Sequence, residues 1–265
     1  MKIIGLMTLA AVLSVNIARA QSDAEGVKPL QEYKLNMTSG RLIVKEVNKV
    51  EFVGHSGSEV IFQSSAGKKE DSERAEGLKL INGSGLEDNT GLGLSVVKEG
   101  NNNVVQQLSS RKSRSYIVQV PKGVTIVYEH SSPYGDEVVF KNILGEIEST
   151  TNHSDVALEN VTGPITINTV HGDIDGGFTN INQANPISIV SSHGDIDLSI
   201  PDNTKANLKV DTSWGEIYSD LNIKIAVDEG EMKSYGGNNV AGTLNGGGVS
   251  FQVKSTHGSI YLRKK

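Results

Sequence analysis

The chain has 265 residues, no cysteine and a formal net charge of −6, enough for one large domain or two small ones. Its basic clusters are short, which argues against a nucleic-acid binder, and the missing cysteines exclude a disulfide framework, a thiolate metal site and a lipid-carrying cysteine. Twenty-nine glycines among many Val, Ile and Thr, with only six prolines, point to short strands joined by tight turns.

Residues 1–20 read as a secretory signal peptide. Lys2 gives a positive start, Ile3 to Leu13 form an apolar core, and Ala18-Arg19-Ala20 supplies the small-x-small cleavage pattern before Gln21. The apolar core falls short of the ~20 residues a membrane span needs. The expected product is exported, with no transmembrane segment after cleavage. From 21 to 130 short apolar runs alternate with period two, as in Tyr116-Ile117-Val118-Gln119-Val120 and Val124-Thr125-Ile126-Val127-Tyr128. This pattern predicts strands and no amphipathic helix. The charged, glycine-rich stretch 66–94 interrupts it and reads as a long surface loop.

Residues 131–265 are repetitive. The word HGDID occurs at His171 and again at His193. Around it a ring-bearing residue recurs: Tyr134, His153, His171, His193, Trp214, Tyr235 and His257. The positions that follow these rings are 18 to 22 residues apart. Half-step copies occur at Leu144-Gly145-Glu146-Ile147 and Thr162-Gly163-Pro164-Ile165. A period near 20 with strands and glycine corners predicts a parallel β-solenoid, whose coils stack because none buries its apolar face alone. The register is apolar-x-apolar-x-Ser/Thr-x-ring-Gly, as in Ile187, Ile189, Ser191, His193 and Gly194. Alternate residues share a face. The apolar pair therefore faces the core, and the Ser/Thr and ring follow on the same side at the corner. Glycine is expected there for a positive φ.

In this register HGDID has structural work to do. The ring stacks on the ring one coil away, the first Asp accepts turn amides, and the second Asp points to solvent. A His ladder with a metal is disfavoured, because a column that also takes Trp and Tyr selects a flat ring and not a ligand. No metal and no cofactor are expected. Asp173, Asp175, Asp195 and Asp197 form a negative strip, the candidate ligand-binding surface, which can attract cations weakly. No catalytic residue is assigned: the acids recur at repeating turn positions, whereas a polysaccharide lyase or hydrolase needs one unique pair. Walker A, GxSxG, HExxH and dinucleotide motifs are absent.

The stretches SSHGDIDLSIP (191–201), VTGPITINTVHGDID (161–175) and DTSWGEIYSDL (211–221) resemble the putative-adhesin family of exported bacterial proteins, a domain family of unknown function. SERAEGLKL (72–80), LEDNTGLGL (86–94) and SYIVQVPKGV (115–124) are similar to its Bacteroidetes branch. The resemblance implies an all-β, right-handed parallel β-helix in or outside the cell envelope, and it brings no activity. The expected protein is a non-catalytic adhesin-like module in the periplasm, on the outer surface or secreted. Its expected partner is an envelope protein or glycan, with self-association through the solenoid ends as a further expectation. The alternative is a β-helix enzyme acting on envelope or extracellular polysaccharide. One groove with converging carboxylates and a basic residue would favour that alternative.

Overall fold

The computed structural model describes residues 31–64, 77–109, 114–225 and 238–265. Every regular element among them is a strand: β1 (Gln31–Asn36), β2 (Ser39–Lys45), β3 (Lys49–His55), β4 (Glu59–Ser64), β5 (Leu94–Glu99), β6 (Asn102–Gln107), β7 (Ser115–Pro121) and β8 (Gly123–His130). There follow β9 (Glu137–Lys141), β10 (Ile147–Thr151), β11 (Asp155–Val161), β12 (Ile165–Thr169), β13 (Ile174–Phe178), β14 (Ile187–Ser191) and β15 (Ile196–Ile200). The chain ends with β16 (Ala206–Thr212), β17 (Ile217–Ser219), β18 (Lys224–Ile225), β19 (Asn238–Leu244), β20 (Val249–Ser255) and β21 (Ile260–Lys264).

The strands form two large, mostly parallel sheets. From β8 to β15 the chain alternates between them, so each coil gives one strand to each sheet. Alternation decides which side chains face in. In β12 Ile165, Ile167 and Thr169 are buried and the residues between them are exposed. Successive coils keep this register: Ile147, Ile165 and Ile187 stand side by side in one sheet, and Val156, Ile174 and Ile196 in the other. These rows form one continuous core between the sheets. Each fully buried Val, Leu or Ile contributes about 1.5–3 kcal/mol of transfer free energy, available only when a neighbouring coil covers it. The two sheets run without a break past residue 130, where β8 pairs with both β2 and β10.

Coil order departs from chain order at both ends. In one sheet the parallel run is β6-β2-β8-β10-β12-β14-β20-β16, and in the other β7-β3-β9-β11-β13-β15-β21-β17. The coil β2/β3 is thus inserted between β6/β7 and β8/β9, and β20/β21 between β14/β15 and β16/β17. The sequence repeat predicts stacking in chain order; the coil β20/β21 instead slides in beside β14, which makes β16/β17 the last coil of the stack. Outside the parallel runs lie antiparallel strands: β4 and β1 beyond β7, β5 beyond β6, and β19 and β18 beyond β16.

Within the loop read over 66–94, residues 66–76 lie outside the described residues, and the remainder is tied down. Asp88 accepts the amides of Thr90 and Gly91 with one carboxylate oxygen and that of Gly93 with the other, all at 2.8–2.9 Å. Leu92 and Leu94 are buried, and the Leu92 carbonyl accepts the Tyr116 hydroxyl at 2.9 Å.

Candidate functional site

The repeated corner that carries HGDID is built from a hydroxyl outward. Thr151, Thr169, Ser191, Ser255 and Thr212 end their strands buried and in register. The Ser191 hydroxyl accepts the Gly194 amide at 2.9 Å and donates to the Gly172 carbonyl of the next coil at 3.2 Å. Ser255 does the same with the Gly258 amide at 2.9 Å and the Gly194 carbonyl at 3.0 Å. Thr212 repeats it with Gly215 at 3.1 Å and the Gly258 carbonyl at 2.9 Å. Each hydroxyl thereby satisfies two buried backbone groups that would otherwise cost about 1–3 kcal/mol apiece.

The corner glycines serve close approach, not the expected positive φ. Gly172, Gly194, Gly215 and Gly258 are absent from the positive-φ residues. A Cβ on Gly194 would sit 2.0 Å from the Gly172 carbonyl oxygen, and one on Gly258 2.1 Å from that of Gly194. Coils stacked at strand spacing leave no room for a side chain there.

The rings stack outside this ladder. Ring centroids lie 5.0 Å apart for His153 and His171, 4.6 Å for His171 and His193, and 4.5 Å for His193 and His257. All four imidazoles are exposed, which corrects the inward direction read from parity: the strand ends at the Ser/Thr, and alternation ends with it. His193 and His257 stack because β20 lies beside β14. The Nδ1 atoms of His193 and His257 donate to the carbonyls of Val170 (3.1 Å) and Ser192 (3.0 Å). Tyr134 is exposed and joins no ring stack among the described residues, and Tyr235 lies outside them. Trp214 stands on the last coil, where its amide donates to the Thr256 carbonyl.

The four aspartates of the acidic strip do not behave alike. Asp155, Asp173 and Asp195 each turn one carboxylate oxygen to the amide of the same position on the next coil, at 3.0, 2.8 and 2.7 Å. Asp197 is gripped by the Arg263 guanidinium through three contacts of 2.6–3.0 Å. Asp175, paired in register with Asp197, is held above the usual carboxylate range by burial and then by Asp173, Asp197, Asp155 and Asp195. Among the described residues no three His, Asp or Glu side chains converge as a metal cage.

A buried His–Glu corner lies outside the sequence expectations. His130 occupies the register position of Thr151 and is 2% exposed. Its Nε2 donates to Asn48 Oδ1 at 3.1 Å, and Glu46 Oε2 lies 4.0 Å away. Burial pushes the imidazole below its usual range, with Glu46 opposing and His153 adding to the shift. Burial alone would raise the Glu46 carboxyl, but the Ser131 hydroxyl and the amides of Ser131 and Ser132 outweigh it and hold it low. The signal was the HxxPYGD stretch 130–136, where a His replaces the Ser/Thr of the repeat.

Large apolar side chains are exposed on the terminal coil β16/β17, at Trp214 and Tyr218, and on β18 beyond it, at Ile225. Trp214 is 79% exposed, Ile225 59% and Tyr218 53%. Tyr218 stacks on Tyr261 with centroids 5.2 Å apart and rings 8° from parallel, and Arg263 lies over Tyr261. β17 is the outermost strand of its sheet among the described residues, so this aromatic face borders the sheet edge. A cavity of about 580 Å³ lies at the opposite corner of the coils, and no Asp or Glu lines it.

The Toastrack DUF4097 family model matches residues 136–263. Among solved structures the chain is similar to a putative cell adhesion protein from Clostridium sporogenes, at 11% identity and a TM-score of 0.44, over 89% of this chain and 100% of that one. It is similar also to a putative adhesin from Bacteroides fragilis, at 11% identity and a TM-score of 0.36, over 90% and 98%. A comparison with curated proteins found no match. The stretch that holds the ring–glycine corners, residues 136–263, is thus similar to the Toastrack DUF4097 family.

Proposed function

We propose that the protein is an exported, non-catalytic, adhesin-like binding module of the cell envelope, and that it presents the aromatic face of its last coil to an envelope glycan. The observation that carries this reading is the contrast between the two ends of the repeat. The histidines and the first Asp of each HGDID link coil to coil, whereas Trp214 is 79% exposed and Tyr218, stacked on Tyr261, is 53% exposed on the terminal coil. Large exposed apolar side chains at the end of a stack offer contact area, and flat aromatic faces suit the apolar faces of sugar rings. The enzyme alternative asks for a groove with converging carboxylates, and the cavity of about 580 Å³ at the opposite corner has none in its lining. Export rests on the signal-peptide pattern of residues 1–20, and no helix among the described residues is long and apolar enough to cross a membrane. A right-handed coil is the sense that parallel strand crossovers strongly prefer. Self-association would use the same end, through the edge of β17.

Trp214 is the only tryptophan of the chain and reports directly on this face. Titrating the protein with polysaccharide fragments from its own envelope is expected to shift Trp214 emission to the blue and to saturate. Tyr218→Ala is expected to weaken binding with the fold retained. Release of new reducing ends or unsaturated sugars during the titration would establish the enzyme instead.

A further inference from the structure

The inserted coil near the N-terminal end leaves a corner unmade. In the regular part, a strand of the β9 sheet passes to the β10 sheet one coil further on, as β9 does through Asn142–Gly145 and β11 through Asn160–Pro164. β3 does not: it turns back through His55 and Gly57 to β4 on the far side of β7. β7 instead crosses through Pro121–Gly123 to β8, two coils on. Between that crossing and the Asn142–Gly145 corner one connection is therefore missing, and a cavity of about 580 Å³ lies there. Crevices where neighbouring connections diverge are the places where sheet proteins hold small ligands, and the volume falls in the range of about 300–1,000 Å³ usual for them. At the opposite end β15 also crosses two coils on, to β16. There the turn that enters β20 bridges the gap: Asn245 Nδ2 donates to the carbonyls of Asp202 and Thr204, at 2.8 and 2.7 Å. The Val249 amide donates to Gln183 Oε1 at 3.2 Å.

The lining fixes the chemistry of an occupant. Val120, Pro121, Val124, Ile143 and Leu144 make apolar walls. The His55 ring is held within its own turn: its Nδ1 accepts the Gly57 amide at 3.1 Å and its Nε2 donates to the Glu59 carbonyl at 2.9 Å. Lys122 is the one Lys, Arg, Asp or Glu in the lining. It is exposed, forms no ion pair among the described residues, and no carboxylate shares the cavity with it. A lone cation on an apolar cavity of an acidic protein complements one negative group on an apolar body.

We infer that this unmade corner is a binding site for a small amphipathic monoanion, its apolar body between Pro121 and Leu144 and its carboxylate on Lys122. The site is separate from the aromatic face of the last coil and stands whether or not that face binds glycan. The test is calorimetric titration of the purified protein with decanoate and, as the uncharged control, decanol. Decanoate is expected to bind once per chain, and decanol at least about tenfold more weakly, since one charge-assisted contact is the difference. Lys122→Met is expected to weaken decanoate about tenfold and to erase its advantage over decanol, Lys122→Arg to restore most of it, and Leu144→Glu to abolish binding. Trp214→Ala and the remote Lys205→Met leave binding unchanged. Circular dichroism melting checks that each variant folds. Absence of saturable binding, equal affinity for decanoate and decanol, an undiminished affinity in Lys122→Met, or loss in Trp214→Ala would each overturn the assignment.

Discussion

At the residue scale the repeated word divides into parts of unequal energetic weight. Ser191 and Gly194 lie where coils touch, whereas His193 lies outside. Ser191→Ala leaves the Gly194 amide and the Gly172 carbonyl without their hydroxyl and is expected to cost about 2 kcal/mol in urea unfolding. Gly194→Ala forces the coils apart and is expected to cost about 3 kcal/mol or more. His193→Ala, which removes exposed stacking on two neighbours, is expected to cost only about 1 kcal/mol. A larger loss for His193→Ala than for Ser191→Ala would reverse this ranking. The buried His130 sets a pH dependence of known sign. Its native pKa is held below the ordinary value of 6.5, so the unfolded chain takes up the proton first. Stability is therefore lost as pH falls from about 6.5 through the lowered native pKa, and His130→Gln is expected to flatten that part of the stability curve.

At the element scale the inserted coils decide the behaviour of the ends. β20 pairs with β14, some 60 positions earlier in the chain, and also with β16. Phe251 and Val253 of β20 are fully buried between them. A chain stopped before Val249 would leave β14/β15 and β16/β17 with no partner coil between them. It is expected to lose cooperative melting in the C-terminal half, measured by hydrogen exchange, while amides of β10 to β13 stay protected. Loss of protection that begins instead at the N-terminal coils would contradict this. The strands themselves were legible: the apolar-x-apolar-x-Ser/Thr register names the inward residues of β12, β14, β16 and β20 without a structure, because strand parity is a local property. Where the strand stops is less local. The rings of His153, His171 and His193 were read as inward because alternation was carried past the Ser/Thr, and the coil-to-coil hydroxyl bond that ends the strand depends on a neighbour distant in sequence.

At the scale of the whole molecule the two sheets run from β5 and β1 at one end to β18 and β17 at the other. Antiparallel strands cover most of the ends, and β17, only three residues long, leaves a short edge among the described residues. Short edges pair weakly. Light scattering is expected to show mass rising only at the highest protein concentrations, and Trp214→Lys is expected to keep the protein monomeric there. A strictly monomeric species throughout would remove self-association from the properties of this end.

The sequence by itself determined the strand parity, the glycine corners and the period near 20, since these depend on residues a few positions apart. It also carried the family resemblance, because the corner motif recurs with few changes from repeat to repeat. The tertiary structure alone decided which coil lies beside which. The apolar faces of the repeats are nearly interchangeable, so nothing local tells β20 to pair with β14 and β16, or β2 with β6 and β8. That choice rests on burying every inner face at once, and it is the same choice that stacks His193 on His257, leaves Trp214 on the last coil and opens the unmade corner beside Lys122.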